Sequence, residues 1–250
     1  AGKVAIIVGA SQGIGAVVAR AFAAAGASTV LAARNESALN ALAAEIGSGG
    51  GQAMAIPADV SDPGSVERLV AQTIEAFGRL DAAFNNAGAN HPPTPLADIS
   101  VEEFDRIVAV NLRGVFLAMK YEVAAMLAHP TGHGGAIVNM SSTAGLSGVP
   151  RVAAYTASKH GVIGLTQTAA LDYATQNIRI NAIAPGTIAS DRLAALPEET
   201  RQRIASTIPM RRLGQPAEVG ALVTWLCSDQ ASFITGATIT IDGGRSAGGA

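Results

Sequence analysis

Short apolar segments alternate along the chain with longer segments of helical length. The short segments are rich in Val and Ile and are apolar throughout, which is typical of parallel strands covered on both faces. Seven of them are predicted as strands, at 4–8, 28–33, 52–56, 81–85, 136–140, 178–183 and 237–241. The pattern therefore predicts a doubly wound α/β domain, in which a seven-stranded parallel sheet is flanked by helices.

Four helix starts are marked by proline or by the spacing of a capping box. The pairs are Asp62 with Pro63, Ser100 with Glu103, Pro197 with Glu198, and Pro216 with Glu218. Two long helices are predicted, at 101–127 and 153–177. No Pro- or Ser-rich linker and no fixed repeat divides the chain, so we expect one domain over residues 1–250.

Composition and charge exclude several classes of protein. With 49% apolar and 14% charged residues the chain is too apolar for a disordered protein. The longest stretch without Asp, Glu, Lys or Arg, 123–150, is interrupted by His, Pro, Gly and Asn, so no transmembrane helix is expected. A net charge of −2 gives no footprint for nucleic acid or an anionic membrane.

The single cysteine and the start of the chain predict a cytoplasmic location. Cys227 has no second cysteine to pair with, and we expect it to be a small core residue. The apolar segment 4–8 is too short for a secretory signal and leads directly into a glycine-rich turn.

That turn follows the first predicted strand and opens the first helix. Backbone N–H groups and the positive end of a helix can bind a pyrophosphate there, whereas the alternative is a purely structural tight turn. Its position between strand and helix favours a dinucleotide site in a Rossmann-type domain. The residues assigned to this site are Gly9, Ser11, Gln12, Gly13, Ile14 and Gly15.

Tyr155 and Lys159 stand four residues apart inside the predicted helix 153–177. Residues at this spacing project from the same face of a helix. The chain has only three Tyr, and its Lys residues are at 3, 120 and 159, so a chance pair is improbable. The alternative is a half-buried tyrosine beside a solvated lysine.

Together these motifs resemble the short-chain dehydrogenase/reductase family over nearly the whole chain, as far as Asp242, Gly243 and Gly244. The matching motifs are 9–15, Asp59 with Val60, Asn-Asn-Ala-Gly at 85–88, Asn111, Ser142, Tyr155 with Lys159, and Pro185 with Gly186. The chain departs from the family at Val8, where Thr is usual. This change removes one side-chain hydrogen bond but leaves the phosphate-facing backbone intact.

The resemblance implies a catalytic set of Asn111, Ser142, Tyr155 and Lys159. Tyr155 would donate or accept the proton at the substrate oxygen, which requires its pKa to fall from about 10 through Lys159 and an oxidised nicotinamide. Lys159 would also hold the nicotinamide ribose. Ser142 would polarise the carbonyl, and Asn111 would hold a water that links Lys159 to solvent. The alternatives are a strand-capping hydroxyl at Ser142 and a kink-stabilising amide at Asn111.

Dinucleotide specificity in the family is set at the end of the second strand. Ala33 stands where NAD enzymes carry Asp, and Arg34 follows it. An arginine fork suits a 2′-phosphate, so we predict NADP(H) over NAD(H). The alternative is a solvated Arg34, with Glu36 reaching the ribose. Gln12 is neutral where some NADP enzymes place a second cation.

The resemblance assigns further cofactor contacts on both sides of the predicted switch point. They are Asp59, Val60, Asn86 and Gly88 toward the adenosine, and Pro185, Gly186 and Ile188 after the sixth strand. Asp59 could instead cap a turn, and the amides of Asn85 and Asn86 could be satisfied by neighbouring strands. No metal is predicted, because the spacing of His91, His129, His133 and His160 fits surface or supporting positions better than ligation.

The function implied is an NADP(H)-dependent oxidoreductase that interconverts a ketone and a secondary alcohol by hydride transfer. Its substrate would be shaped by loops at 91–96, 144–152 and 188–210, within a substrate segment at about 187–210. The residues that suggest an apolar pocket for a hydrophobic or aryl ketone are Leu146, Val149, Leu193 and Leu196.

Other functions stay open at the sequence level. One is a 3-oxoacyl-(acyl carrier protein) reductase, although 133–135 and 175–177 lack the arginines typical of such enzymes. A second is a non-catalytic nucleotide-sensing protein, which would not need the catalytic set. The four-residue interval from Tyr155 to Lys159 argues against an enoyl reductase. The resemblance also implies a homotetramer, built through the helices at 101–127 and 153–177 and through the C-terminal strand with its preceding helix.

Overall fold

The sheet of the computed structural model, which describes residues 2–129, 132 and 134–248, contains the predicted parallel strands. Their order in the described chain is β3-β2-β1-β4-β5-β6-β7. The bounds are β1 Val4–Val8, β2 Ser28–Ala33, β3 Gln52–Pro57, β4 Ala82–Asn85, β5 Gly135–Met140, β6 Ile178–Pro185 and β7 Thr238–Ile241. The predicted α/β fold and its seven-stranded parallel sheet are confirmed.

The strand order reverses between β1 and β4. From β1 the chain builds β2 and β3 on one side, and it then crosses to β4 and the remaining strands on the other. In doubly wound sheets this reversal opens a crevice at the carboxyl ends of the two strands. Gly9 and Asn86 follow β1 and β4 directly, and Ser142 lies two residues after β5, so these predicted site residues lie at this edge.

Helices cover both faces of the sheet. Their bounds are α1 Gly13–Ala24, α2 Glu36–Ser48, α3 Pro63–Phe77, α4 Val101–Val108, α5 Gly114–Leu127, α6 Ala153–Tyr173, α7 Asp191–Ala194, α8 Glu198–Ser206 and α9 Pro216–Leu226. Phe22, Leu39 and Val219 belong to the apolar layer on one face, and Leu69 and Val162 to the layer on the other.

Cys227 is buried in the first of these layers, as predicted. Burial raises the pKa of its thiol to about 12. Across the described ranges, none of the helices combines the length and the apolar character needed to cross a bilayer.

The predicted helix starts are observed, with one difference. Asp62 caps α3 by accepting from the backbone of Gly64 and Ser65, and α9 begins at Pro216 behind a capping box formed by Gln215 and Glu218. The box predicted at Ser100 is only half formed. Ser100 Oγ accepts from the Glu103 backbone, but the Glu103 carboxylate binds Arg106 at 2.7 Å, since a charged donor one turn away is the stronger partner.

Both long predicted helices are interrupted. A π-helical turn at Ala109–Arg113 separates α4 from α5, so 101–127 is not one regular helix. α6 ends at Tyr173, and a 3₁₀ turn at Ala174–Gln176 leads to Asn177, whose φ of 61° stops the helix. An asparagine tolerates this left-handed conformation better than most residues.

Candidate active site

The turn after β1 is shaped by glycines that no other residue could replace without strain. Gly9 and Gly13 have φ of 79° and 55°, in the left-handed region. A β-carbon at Gly15 would lie 2.0 Å from the carbonyl oxygen of Gly9. In the described chain the Gln12 side chain makes no cap to α1, which leaves that helix end to a ligand. These residues fit a pyrophosphate.

The other members of this turn have distinct surroundings. Ser11 is partly buried and precedes the exposed Gln12, whereas Ile14 packs against the core layer that contains α1. Asn86 reaches across from the end of β4, and its Nδ2 donates to the carbonyl oxygen of Gly9 at 3.1 Å. The alternative in which neighbouring backbone satisfies the Asn86 amide is therefore observed, because this bond braces the turn.

Arg34 and Asp59 lie beside each other at the ends of β2 and β3. Asp59 Oδ1 accepts from Ser61 Oγ at 2.7 Å and from Ser61 N at 2.9 Å, so Asp59 caps a turn. These bonds hold the pKa of Asp59 below its usual value, and the charge of Arg34 contributes in the same direction. Arg34 is exposed and Val60 is buried, packed closely against Gly114.

Residues after β6 complete the same edge of the sheet. Pro185 is the last residue of β6, and a β-carbon at Gly186 would lie 2.8 Å from Asp242 Cβ. Ile188 pairs with Gly214 in an isolated parallel bridge. Gly186 must therefore be small, and the segment leaves the sheet toward α7 along a fixed path.

Tyr155 and Lys159 lie on one face of α6, as predicted. Lys159 Nζ is 5.6 Å from the centroid of the Tyr155 ring. The lysine is only 2% exposed, and its Nζ donates to the carbonyl oxygen of Met140, at the end of β5, at 2.7 Å. Burial lowers the pKa of Lys159 to about 8. The lysine is therefore a buried cation held between α6 and the sheet.

Ser142 lies beside the Tyr155 side chain and acts on its pKa. Burial raises the pKa of Tyr155 by more than the neighbouring Ser142 lowers it. The expected fall of this pKa is thus not produced by the chain alone, because Lys159 is itself desolvated and directs Nζ to Met140. Ser142 Oγ also accepts from Ala144 N at 3.1 Å, so it caps the 3₁₀ turn Thr143–Gly145 and not the end of the fifth strand.

Asn111 lies in the π-helical turn and connects two parts of the site. Its Oδ1 accepts from Ala89 N at 2.7 Å, and its Nδ2 donates to Ala89 O and to Ser158 Oγ. Ser158 in turn donates to the carbonyl oxygen of Tyr155 at 2.7 Å. A β-carbon at the exposed Gly88 would lie 3.6 Å from Asn111 Oδ1 and 3.9 Å from Lys159 Nζ. The loop after β4 and the Tyr155 turn are therefore held together.

Two contributors were missed at the sequence level. Met140 supplies the carbonyl for Lys159, and a backbone acceptor leaves no signal in the side-chain pattern. Ser141 Oγ donates to Lys159 O at 2.9 Å and fixes α6 against β5. The signal that could have indicated Ser141 is its place directly before Ser142, as a second small hydroxyl residue.

The histidines are placed differently from one another. His91 is buried, and its Nδ1 lies 2.8 Å from Pro92 O, which fits the supporting position that was one of the two expected. His160 is exposed, and His133 lies outside the described residues. Within the part of the chain that the structure describes, no three His, Cys, Asp or Glu side chains are grouped to hold a metal ion.

A Rossmann-type sheet with a glycine turn, a buried lysine and a tyrosine at one edge defines a dinucleotide-dependent oxidoreductase. A family model described as Enoyl-(Acyl carrier protein) reductase matches residues 9–246. The chain is 44% identical over 247 residues to the A-factor type gamma-butyrolactone 1′-reductase (1S-forming) of Streptomyces virginiae, covering 97% of this chain and 95% of that one.

Two further relatives have the same extent. Cyclohexanol dehydrogenase of Acinetobacter sp. (strain SE19) is 42% identical over 241 residues, 96% of this chain and 94% of that one. The crystal structure of levodione reductase superimposes with a TM-score of 0.93 at 36% identity, covering 99% of each chain. The protein belongs to the short-chain dehydrogenase/reductase family, whose members act on ketones and alcohols with a nicotinamide dinucleotide.

Proposed function

We propose that the protein is an NADP(H)-dependent reductase of hydrophobic ketones that also oxidises the corresponding secondary alcohols. The observation that carries this proposal is that Tyr155 lies beside Ser142, with the buried Lys159 Nζ 5.6 Å from the centroid of its ring. A protein that only sensed nucleotides could use Lys159 to bind a ribose, but it would not need Ser142 and Tyr155 beside that lysine.

In reduction, Tyr155 gives its phenolic proton to the substrate oxygen, and in oxidation it takes that proton back. Ser142 donates a hydrogen bond to the same oxygen and stabilises the negative charge that develops there. The glycine turn would hold the pyrophosphate, and Lys159 would hold the nicotinamide ribose. When bound, the dinucleotide supplies or accepts the hydride. Asn111 holds the loop at Ala89 in a fixed position relative to the turn of α6 that contains Tyr155.

The substrate proposed is a free hydrophobic ketone. Leu146 and Val149 follow Ser142 and are 42% and 41% exposed, which gives the catalytic edge an apolar border. Thr94 N donates to Arg151 O at 2.7 Å, so the loops at 91–96 and 144–152 are joined. The segment 187–210, with Leu193 and Leu196, would close the third side. Relatives named for cyclohexanol and for a gamma-butyrolactone support a small cyclic substrate.

Cofactor preference is expected to favour NADPH, and Arg34→Asp is expected to reverse it. The exposed Arg34 would bind the 2′-phosphate, whereas an Asp there repels it. The measurement is kcat/KM for NADPH and for NADH. Cofactor oxidation is followed by its absorbance while the enzyme reduces a panel of ketones. Arg68→Asp, at an exposed arginine of α3, is the matched control. A wild-type preference for NADH, or a preference that ignores Arg34, contradicts the assignment.

The panel separates the remaining functions once a carrier-bound 3-oxoacyl substrate and an enoyl substrate are added to it. Activity only with a carrier-bound 3-oxoacyl group would identify an acyl-carrier reductase, and reduction of a carbon–carbon double bond would identify an enoyl reductase. Dinucleotide binding without turnover of any substrate would favour a sensor. The cytoplasmic location stays a prediction.

We also propose a homotetramer, and light scattering at micromolar concentration is expected to give a mass near four chains of 25.1 kDa. Exposed apolar side chains support it. A groove between α4, α5 and α6 is lined by Val108, Leu112, Phe116 and Leu165. Other large apolar residues that are exposed in the described chain include Leu171, Trp225 and Phe233. Phe116→Asp is expected to reduce the mass. A wild-type monomer would contradict the proposal.

A further inference from the structure

A carboxylic side chain is buried beneath the active site. Glu122 of α5 is 1% exposed, and it lies against Asn85 of β4 and, through Asn85, against Asn139 of β5. Asn85 Nδ2 donates to Glu122 Oε2 and to Asn139 Oδ1, each at 3.0 Å. This cluster of Glu122, Asn85 and Asn139 has no role in the mechanism described above.

The donor hydrogens of the amides in this cluster already take part in hydrogen bonds. Asn85 uses both amide hydrogens, and Asn139 Nδ2 donates to Thr166 Oγ1 at 3.0 Å and to Met119 Sδ at 3.1 Å. The hydroxyl of Thr166 donates to Val162 O at 2.8 Å. Two acceptors, Asn85 Oδ1 and Glu122 Oε1, are left without a donor in the described part of the chain. Such unpaired buried atoms are costly.

One added proton would satisfy both of these atoms. The Asn85 amide already donates from Nδ2 to Glu122 Oε2. The two unpaired oxygens, Asn85 Oδ1 and Glu122 Oε1, are the remaining oxygens of this same planar amide and this same planar carboxyl group. A hydroxyl at Glu122 Oε1 would donate to Asn85 Oδ1, whereas an ionised carboxylate would leave both oxygens unpaired and bury a charge.

The charged and titratable groups around the cluster do not favour a carboxylate. The Cys227 thiol at the end of α9 interacts electrostatically with Glu122 and is itself held neutral by burial. Lys159, the buried cation of α6, directs Nζ to Met140 O. The glutamates of α3, Glu67 and Glu75, are exposed. Burial accordingly raises the pKa of Glu122 to about 7.

We propose that Glu122 is a neutral carboxylic acid in the folded protein and that it closes a two-bond acid–amide ring with Asn85. The ring makes Glu122 a positioning residue. Asn85 precedes Asn86, which braces the Gly9 turn, and Asn139 precedes Met140, which accepts from Lys159. The ring therefore fixes the ends of β4 and β5, from which the cofactor turn and the catalytic lysine are supported.

Glu122→Gln is the informative variant, because an amide can form the same ring. Its carbonyl accepts from Asn85 Nδ2 and its N–H donates to Asn85 Oδ1, with one additional hydrogen left over. We expect kcat/KM within about two-fold of wild type, as the strand ends keep their places. Infrared difference spectra of the full chain at about pH 5, wild type minus variant, are expected to contain the carbonyl band of a protonated carboxylic acid. A carboxylate band instead would overturn the proposal.

The pH dependence of folding provides an independent test. The folded state holds the proton of Glu122 up to about pH 7, whereas the unfolded chain loses it near its usual pKa of 4.5. The stabilisation that this bound proton gives to the folded state is therefore complete below pH 4.5, and it is lost as the pH rises to about 7. From about pH 5 to about pH 8, the folding equilibrium constant of wild type relative to Glu122→Gln should fall by about 10².

Glu75→Gln, at the exposed glutamate, serves as the control and should leave the pH dependence of wild type unchanged. If Glu122→Gln retained the pH dependence of wild type, Glu122 would be ionised throughout and the ring would not exist. Folding of the variant with a loss of kcat/KM well beyond two-fold would contradict the positioning role.

Discussion

Tyr155→Phe is expected to lower kcat by about 10² to 10⁴, the range that a general acid usually contributes. The phenyl ring keeps its place on α6, but the hydroxyl beside Ser142 is lost. Affinity for NADPH should change only a few-fold, because Lys159 and the glycine turn remain. Steady-state kinetics and fluorescence titration with NADPH measure the two effects separately.

Tyr173→Phe is the matched control for this variant. Tyr173 closes α6 and lies five turns of helix from the catalytic edge, so its hydroxyl should be dispensable for kcat. Suppose instead that Tyr155→Phe, with intact folding, kept more than about a tenth of the wild-type kcat. The general acid would then lie elsewhere, and the mechanism would be wrong although the fold is right.

Lys159→Met is expected to affect both binding and chemistry. Methionine fills the space of the lysine stem, but it cannot donate to Met140 O and carries no charge beside the Tyr155 ring. We expect kcat to fall by about 10² or more and KM for NADPH to rise, because one electrostatic contact to the reacting centre is lost. The parallel change in kcat and KM distinguishes this variant from Tyr155→Phe.

Lys120→Met tests whether the effect is specific. Lys120 is an exposed lysine of α5 that lies over the Tyr121 ring at 5.3 Å, so it has a similar contact outside the site. The Lys120→Met substitution should leave kcat and the KM for NADPH unchanged. A Lys159→Met enzyme with an unchanged KM for NADPH would show that Lys159 does not contact the cofactor.

The strands could be predicted closely because burial on both faces selects long apolar runs. β1 and β2 have the predicted bounds, while β6 continues two residues further, to Pro185. Apolar residues at this end do not distinguish the last strand residue from the start of the loop. Pairing with β7 up to Ile241 decides the boundary instead, and pairing is a property of two distant segments.

The helix at 101–127 shows where local periodicity fails. Its residues favour a helix throughout, yet Asn111 engages Ala89, which is far away along the chain, and the backbone widens into a π turn. At Ser100 the sequence spacing was right, but Arg106 competed for the Glu103 carboxylate. In both cases a partner outside the motif decided the local structure.

The candidate site could be predicted where side-chain identity carries the chemistry. The shared face of Tyr155 and Lys159 follows from helical spacing alone. Glu122 was missed because a glutamate in a helix is usually solvated. Its signal was its position in line with the apolar Val115, Met119 and Met126 at spacings of three and four residues, which indicates a buried face.

The π-helical turn also sets the rotational phase of α5. A π turn contains an extra residue, and each residue of an α-helix turns the chain by about 100°. The π turn absorbs this extra residue, so the buried Ile107 of α4 and the buried Val115 of α5 lie on the same side of the helix axis. Deleting one residue from Ala109–Arg113 would therefore give a regular helix with Glu122 still facing the sheet, whereas a deletion within α5 ahead of Glu122 would rotate that side chain by about 100°.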